Sequence, residues 1–128
     1  MKDKIQNASR NLKNLHRRFL ELERIAAEKY FERRISPFDF LQILTHDKNF
    51  AWLQPFSALI AEIDAFVDES EHIVATDLTC IKDQIDFVLH KSEVNSKIYH
   101  RYQHHISEDP EFVMMHANLN EALSQLKP

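Results

Sequence analysis

Ile5-Gln6-Asn7-Ala8-Ser9-Arg10-Asn11-Leu12-Lys13-Asn14-Leu15-His16-Arg17-Arg18-Phe19-Leu20-Glu21-Leu22-Glu23-Arg24-Ile25-Ala26 is the stretch on which the fold turns. Ile5, Ala8, Leu12, Leu15, Phe19, Leu22 and Ala26 recur at alternating steps of three and four, with polar residues between them. That spacing puts every apolar side chain on one helical stripe and predicts an amphipathic helix over about 3–34. A second stripe, Leu20, Ala27 and Tyr30, runs beside it and is interrupted by His16 and Glu23. Two adjacent stripes suit a bundle helix that touches two neighbours.

Reading toward the C-terminus, the same grammar repeats. In Ser36-Pro37-Phe38-Asp39 a hydroxyl, a proline and an acid stand in the order that opens a helix, so a short one is predicted through Leu44. Asp47-Lys48-Asn49 resets the chain before Phe50-Ala51-Trp52-Leu53 opens another helix. Pro55 has no N–H for the carbonyl of Ala51, which predicts a kink or a fresh start there. Leu53, Phe56, Ile60, Ile63 and Val67 then continue at helical spacing. Val74, Leu78, Ile81, Ile85 and Val88 mark a helix over about 71–91, and Val94, Ile98, Tyr102 and His105 a weaker one over about 94–107. After Asp109-Pro110, the residues Phe112, His116, Leu119, Leu123 and Leu126 share the last stripe. The expectation is an all-α chain: a compact bundle of four main helices with one or two short ones, a single domain over 1–128 with its core over about 12–126.

Composition narrows the chemistry. The 128 residues include no glycine, where an average chain of this length would carry roughly nine. Glycine supplies positive φ and lets backbone approach a phosphate, so Walker loops, dinucleotide fingerprints and the Gly-x-Ser-x-Gly elbow drop out. The net charge of −4, from 16 basic and 20 acidic residues, argues against nucleic acid and anionic lipid as partners. Cys80 is alone, which rules out an intrachain disulfide; between Thr79 and Ile81 it reads as a small buried hydrophobe. No apolar run approaches about 18 residues and no signal-peptide core follows the start, so a cytoplasmic location is expected.

Three constellations could carry function. His16 and Glu23, two helical turns apart, share a face of the first helix, and His116 occupies a core position of the last. If those helices meet, two imidazoles and a carboxylate, with Asp64 nearby, could hold a divalent metal. The Glu-x-x-His pairs of di-iron bundles are missing, since Arg24, Ala26, Phe31 and Ile35 follow the relevant glutamates by three. His100 and His104 form an i, i+4 pair on a solvated face with Lys97, suited at most to an adventitious chelate. Phe50, Trp52 and Phe56 cluster around Pro55, as core or as a partner-facing hot spot.

The run Phe50-Ala51-Trp52-Leu53-Gln54-Pro55-Phe56-Ser57-Ala58-Leu59-Ile60 is preceded by His16-x-x-x-Leu20-x-x-Glu23-Arg24 and by Ser36-Pro37 with Leu41-Gln42-Ile43-Leu44. It is followed by Ile63-Asp64, Arg101-Tyr102, Asp109-Pro110 and His116-Ala117. This order, over about 12–120, resembles a family of small, functionally uncharacterised bacterial helical proteins sharing a Phe-Ala-Trp-Leu-x-Pro-x-Ser-x-Leu-Ile motif. The resemblance implies a bacterial cytoplasmic helical protein and brings no activity, substrate or cofactor with it. Gln54 stands where that family has arginine, which questions a cation beside Trp52.

Two functional readings follow. One is a non-enzymatic protein-interaction or regulatory module without a cofactor, binding a protein partner or itself, with Phe50, Trp52 and Phe56 as its contact surface and neither nucleic acid nor membrane as partner. The other is a bundle binding a divalent metal or small ligand through His16, Glu23 and His116.

Overall fold

The computed structural model describes residues 2–91 and 93–126. Met1, Ser92, Lys127 and Pro128 lie outside it, among them both ends of the expected 1–128 domain. Among the described residues every regular element is helical: α1 (Lys2–Phe31), α2 (Pro37–His46), a 3-10 helix (Lys48–Leu53), α3 (Gln54–Glu69), α4 (Ala75–His90), α5 (Ser96–Glu108) and α6 (Pro110–Ser124). There are thus six α-helices, within the expected total, but α5 is nearly as long as α6, so the main helices number five rather than four and only α2 is short. Neighbouring helices close a ring, α1 against α3 and α6, α3 against α4, α4 against α5, α5 against α6.

The stripe of α1 does what its spacing dictates. Ile5, Ala8, Leu12, Leu15 and Phe19 are buried in one cluster with residues from every other helix except α2. That core starts at Ile5, earlier than residue 12, because the first turns of α1 are covered too. Phe19 is its hub. Its ring centroid lies 5.6 Å from Phe56, 6.3 Å from Trp52, 6.0 Å from Phe112, 6.4 Å from Tyr102 and 5.2 Å from His105. Tilted and edge-on pairs of this kind add ~0.5–1.5 kcal/mol each beyond their buried area.

Helix ends explain how the chain manages without glycine. Asp47, Ser70, Lys91 and Asp109 close their helices in extended backbone, with φ between −93° and −122°. Glu32, at φ 54°, is the single described residue in the left-handed region, and it ends α1 three residues before the expected boundary. Starts are capped by side chains: Ser36 Oγ accepts from Asp39 N at 3.1 Å, Asp47 Oδ1 from Asn49 N at 2.9 Å, and Asp109 Oδ2 from Phe112 N at 2.9 Å. α4 starts at Ala75 rather than near 71, because Asp77 reaches back to accept from Val74 N at 2.9 Å. The linker before α2 is clamped by α1: Arg24 Nη1 donates to Ile35 O at 2.8 Å and Glu28 Oε2 accepts from Ile35 N at 2.8 Å. Ile35 is thereby buried with Ala27 and Phe40 in a second small core.

Pro55 starts a helix. The 3-10 turns end at Leu53, and Pro55 occupies the first turn of α3, where no N–H is needed. Together they form one continuous helical run, Lys48–Glu69, of which an 18-residue stretch has mean hydropathy 1.3, long and apolar enough by composition to cross a membrane. This corrects the expectation that no stretch approaches 18 residues. In the fold Leu53, Phe56, Leu59, Ile63 and Val67 from that run face the core. Cys80 corrects a second expectation: it is exposed, because the buried stripe of α4 passes through Leu78, Ile81, Ile85 and Val88.

Asp109 holds two elements at once. Arg18 grips it bidentately, Nε to Oδ2 and Nη2 to Oδ1, both at 2.9 Å, while the same carboxylate caps α6. Asp109→Ala is expected to cost about 2–3 kcal/mol, against about 1 kcal/mol for the exposed cap removed by Ser36→Ala. Urea unfolding checks the ranking, and equal losses would contradict it.

Candidate functional site

The C-terminal half of α1 sets Glu23, Ala26, Ala27 and Tyr30 on one face by their helical spacing. Opposite them the 3-10 helix offers Phe50 and Trp52, and α5 offers Lys97 and Arg101 one turn apart. These side chains line a cleft of about 620 Å³. Tyr30, 82% exposed, stands at its rim against Phe31, with ring centroids 5.0 Å apart. Trp52 is half-buried, anchored by its contact with Phe19, and Lys97 Nζ lies 5.0 Å from the centroid of its indole. A cation does stand beside Trp52, and it comes from α5 rather than from position 54.

Glu23 forms the inner wall. It is 5% exposed, and one oxygen, Oε2, accepts from Arg101 Nε at 2.9 Å and lies 2.5 Å from His105 Nε2. His105 is equally buried and edge-on to Phe19 at 88°. A buried carboxylate this well matched is a positioning group: it fixes the guanidinium of Arg101 at the cleft wall. Among the described residues the terminal nitrogens of Arg101 make no hydrogen bond.

The other expected residues go elsewhere. His16 turns toward α3, its Nε2 3.3 Å from Ser57 Oγ and its ring 4.6 Å from that of Phe56. Burial pushes its pKa down to about 4, so it is neutral near pH 7 and a weak base. Among the described residues no carboxylate bonds it, and the Ser57–His16 pair lacks the third group that would orient an imidazole for catalysis. His116 faces α4 and α5: its Nδ1 is 2.6 Å from the Tyr102 hydroxyl, its Nε2 3.1 Å from the Asn120 amide, and its ring 6.1 Å from that of His90. Asp64 is held by Lys13 at 2.9 Å and Ser9 at 3.2 Å. His16, Glu23 and His116 are therefore not brought together, because α1 presents the first two to different neighbours and α6 turns the third away from α1. Among the described residues no three His, Cys, Asp or Glu side chains converge on a metal-sized position.

Of the expected contact residues, Phe50 and Trp52 line the cleft, whereas Phe56 is fully buried on the core stripe of α3. The cleft's cations and the His105 bond to Glu23 were not expected. Their one sequence signal is the i, i+4 spacing of Lys97, Arg101 and His105 along α5, which says nothing of the partner 78 residues away in α1.

Removing Glu23 strands the buried imidazole of His105 and leaves the part-exposed guanidinium of Arg101 without its partner. Glu23→Ala is expected to cost ~1–3 kcal/mol, read as a lower urea midpoint; a loss below about 0.5 kcal/mol would show the pairing to be incidental.

Burial also lowers the pKa of His90 and of His116, in the latter with a contribution from nearby His90. Below their ordinary value of about 6.5 the unfolded chain takes up protons that the folded chain refuses. Stability is thus full above pH 6.5 and should fall progressively toward pH 4, the His16 midpoint. Thermal melts over that range check it, and His16→Leu should flatten the decline. The chain matches no protein-family profile, no curated protein and no solved structure.

Proposed function

We propose that this chain is a non-enzymatic protein-interaction or regulatory module whose contact site is the cleft between α1, the 3-10 helix and α5. The observation that carries the reading is the coincidence of exposed aromatic surface and unspent positive charge. Tyr30, Phe31, Phe50 and Trp52 offer apolar faces, while Lys97 and Arg101 offer cations at the same opening. Aromatic and arginine side chains anchor interfaces because they bury large area with few rotors and bond carboxylates in fixed geometry. The guest that fits is an acidic, apolar segment of a partner protein. Reactive groups elsewhere favour this over chemistry, for Glu23 is fully engaged and His16 is a poor base. The family resemblance supports a bacterial cytoplasmic setting.

Trp52 is the chain's lone tryptophan, so its fluorescence reports the site directly. Titration with a synthetic peptide alternating glutamate with leucine and phenylalanine should shift or quench its emission. Lys97→Glu, a surface change, should weaken binding at least tenfold at unchanged melting temperature. Emission that ignores the peptide, or equal affinity in the variant, overturns the reading.

A further inference from the structure

A second surface carries the opposite charge. α3 and α4 lie against each other along a seam that opens outward into a groove of about 830 Å³. Its floor is apolar, with Ala58, Leu59, Phe87 and Val88, and Phe87 is 46% exposed. The depression continues along the same seam past Glu62, Cys80 and Gln84 to Phe66 and Asp77. From Pro55 to Phe66 it follows α3 for ~16 Å, about three helical turns.

The polar lining is one-sided. Glu62, Asp77 and Asp83 contribute carboxylates to the two stretches, and among the described residues no lysine, arginine or histidine lines either. An apolar trough of this length takes an amphipathic helix laid along it, anchored at i, i+3, i+4 and i+7. Acidic walls select the sign of its flanks and repel an acidic one. We infer that the α3–α4 groove is a docking site for a basic amphipathic helix of a partner protein, distinct from the α1–α5 cleft. The apolar stripe of that helix lies on Leu59, Phe87 and Val88, and its lysines or arginines face Glu62 and Asp83.

Cys80 makes the test specific, because it is the sole cysteine, is exposed, and lines both stretches of the groove. The probe is a synthetic 15-residue helix with leucines at i, i+3, i+4 and i+7 and lysines beside them. It is titrated against the unmodified chain by anisotropy, while alkylation of Cys80 by iodoacetamide is followed by mass spectrometry. The expected result is saturable binding that slows alkylation at least tenfold. A glutamate-flanked version and a scrambled lysine peptide of equal composition should bind at least tenfold more weakly. Asp83→Lys should lose the lysine helix at unchanged melting temperature. Absent binding, binding that leaves Cys80 equally reactive, or scrambled-peptide binding of equal strength each overturns the proposal. So does concentration-dependent self-association that protects Cys80 without peptide, which would assign the groove to a second copy of this chain. Trp52 emission, read in parallel, reports the other cleft and keeps the two outcomes separate.

Discussion

Phe19 sits where the ring of helices closes, and its edge-on and tilted contacts reach the 3-10 helix, α3, α5 and α6 at once. Aromatic rings admit a narrow set of relative orientations, so one side chain fixes the angles at which four other elements meet α1. The consequence is visible at the cleft. Trp52 is held by Phe19 from behind and keeps its outer face half-open, and His105 is held by the same ring at the angle that brings its Nε2 to Glu23. The candidate contact surface is thus the outer side of the core's own aromatic cluster, and its geometry is set before any partner arrives.

Around that hub the polar groups are spent on positioning. Arg18 with Asp109 and Arg101 with Glu23 tie α1 to the start of α6 and to α5, while Arg24 and Glu28, paired within α1, hold the linker through the backbone of Ile35. The Arg18 hydrogen bonds hold the Asp109 carboxyl below the usual carboxylate range, and those of Arg24 do the same for Glu21. Among the described residues no buried side-chain nitrogen or oxygen lacks a partner. Lys97 and the outer nitrogens of Arg101 instead lie at the surface, where an unpaired charge carries no burial cost.

The periodic part of the fold was legible from the residues because helical spacing is a one-body property. Ile5 to Phe19, Leu78 to Val88, and the caps at Ser36 and Asp109 all read correctly from local pattern alone. Boundaries strayed where a side chain decided them, as at Asp77, or where a non-glycine residue accepted positive φ, as at Glu32. Cys80 misled for a different reason: its apolar neighbours in sequence belong to a stripe it does not share, since two residues along a helix point roughly opposite ways.

The site was half legible. His16, Glu23 and His116 are each unusual on an apolar stripe, and the pattern singles them out, but it cannot say which neighbour each will meet. Glu23 shows why that matters. With His16 or His116 for company its carboxylate would have been a ligand; with Arg101 and His105 both donating to one oxygen it is an anchor. The identity of the residues is the same in either case, and only the packing of α5 against α1 decides which partners Glu23 meets. The direction of the inference therefore runs from partners to role: a buried acid whose cation points outward into an aromatic cleft makes that cation available, and availability of charge beside apolar surface is what recognition needs.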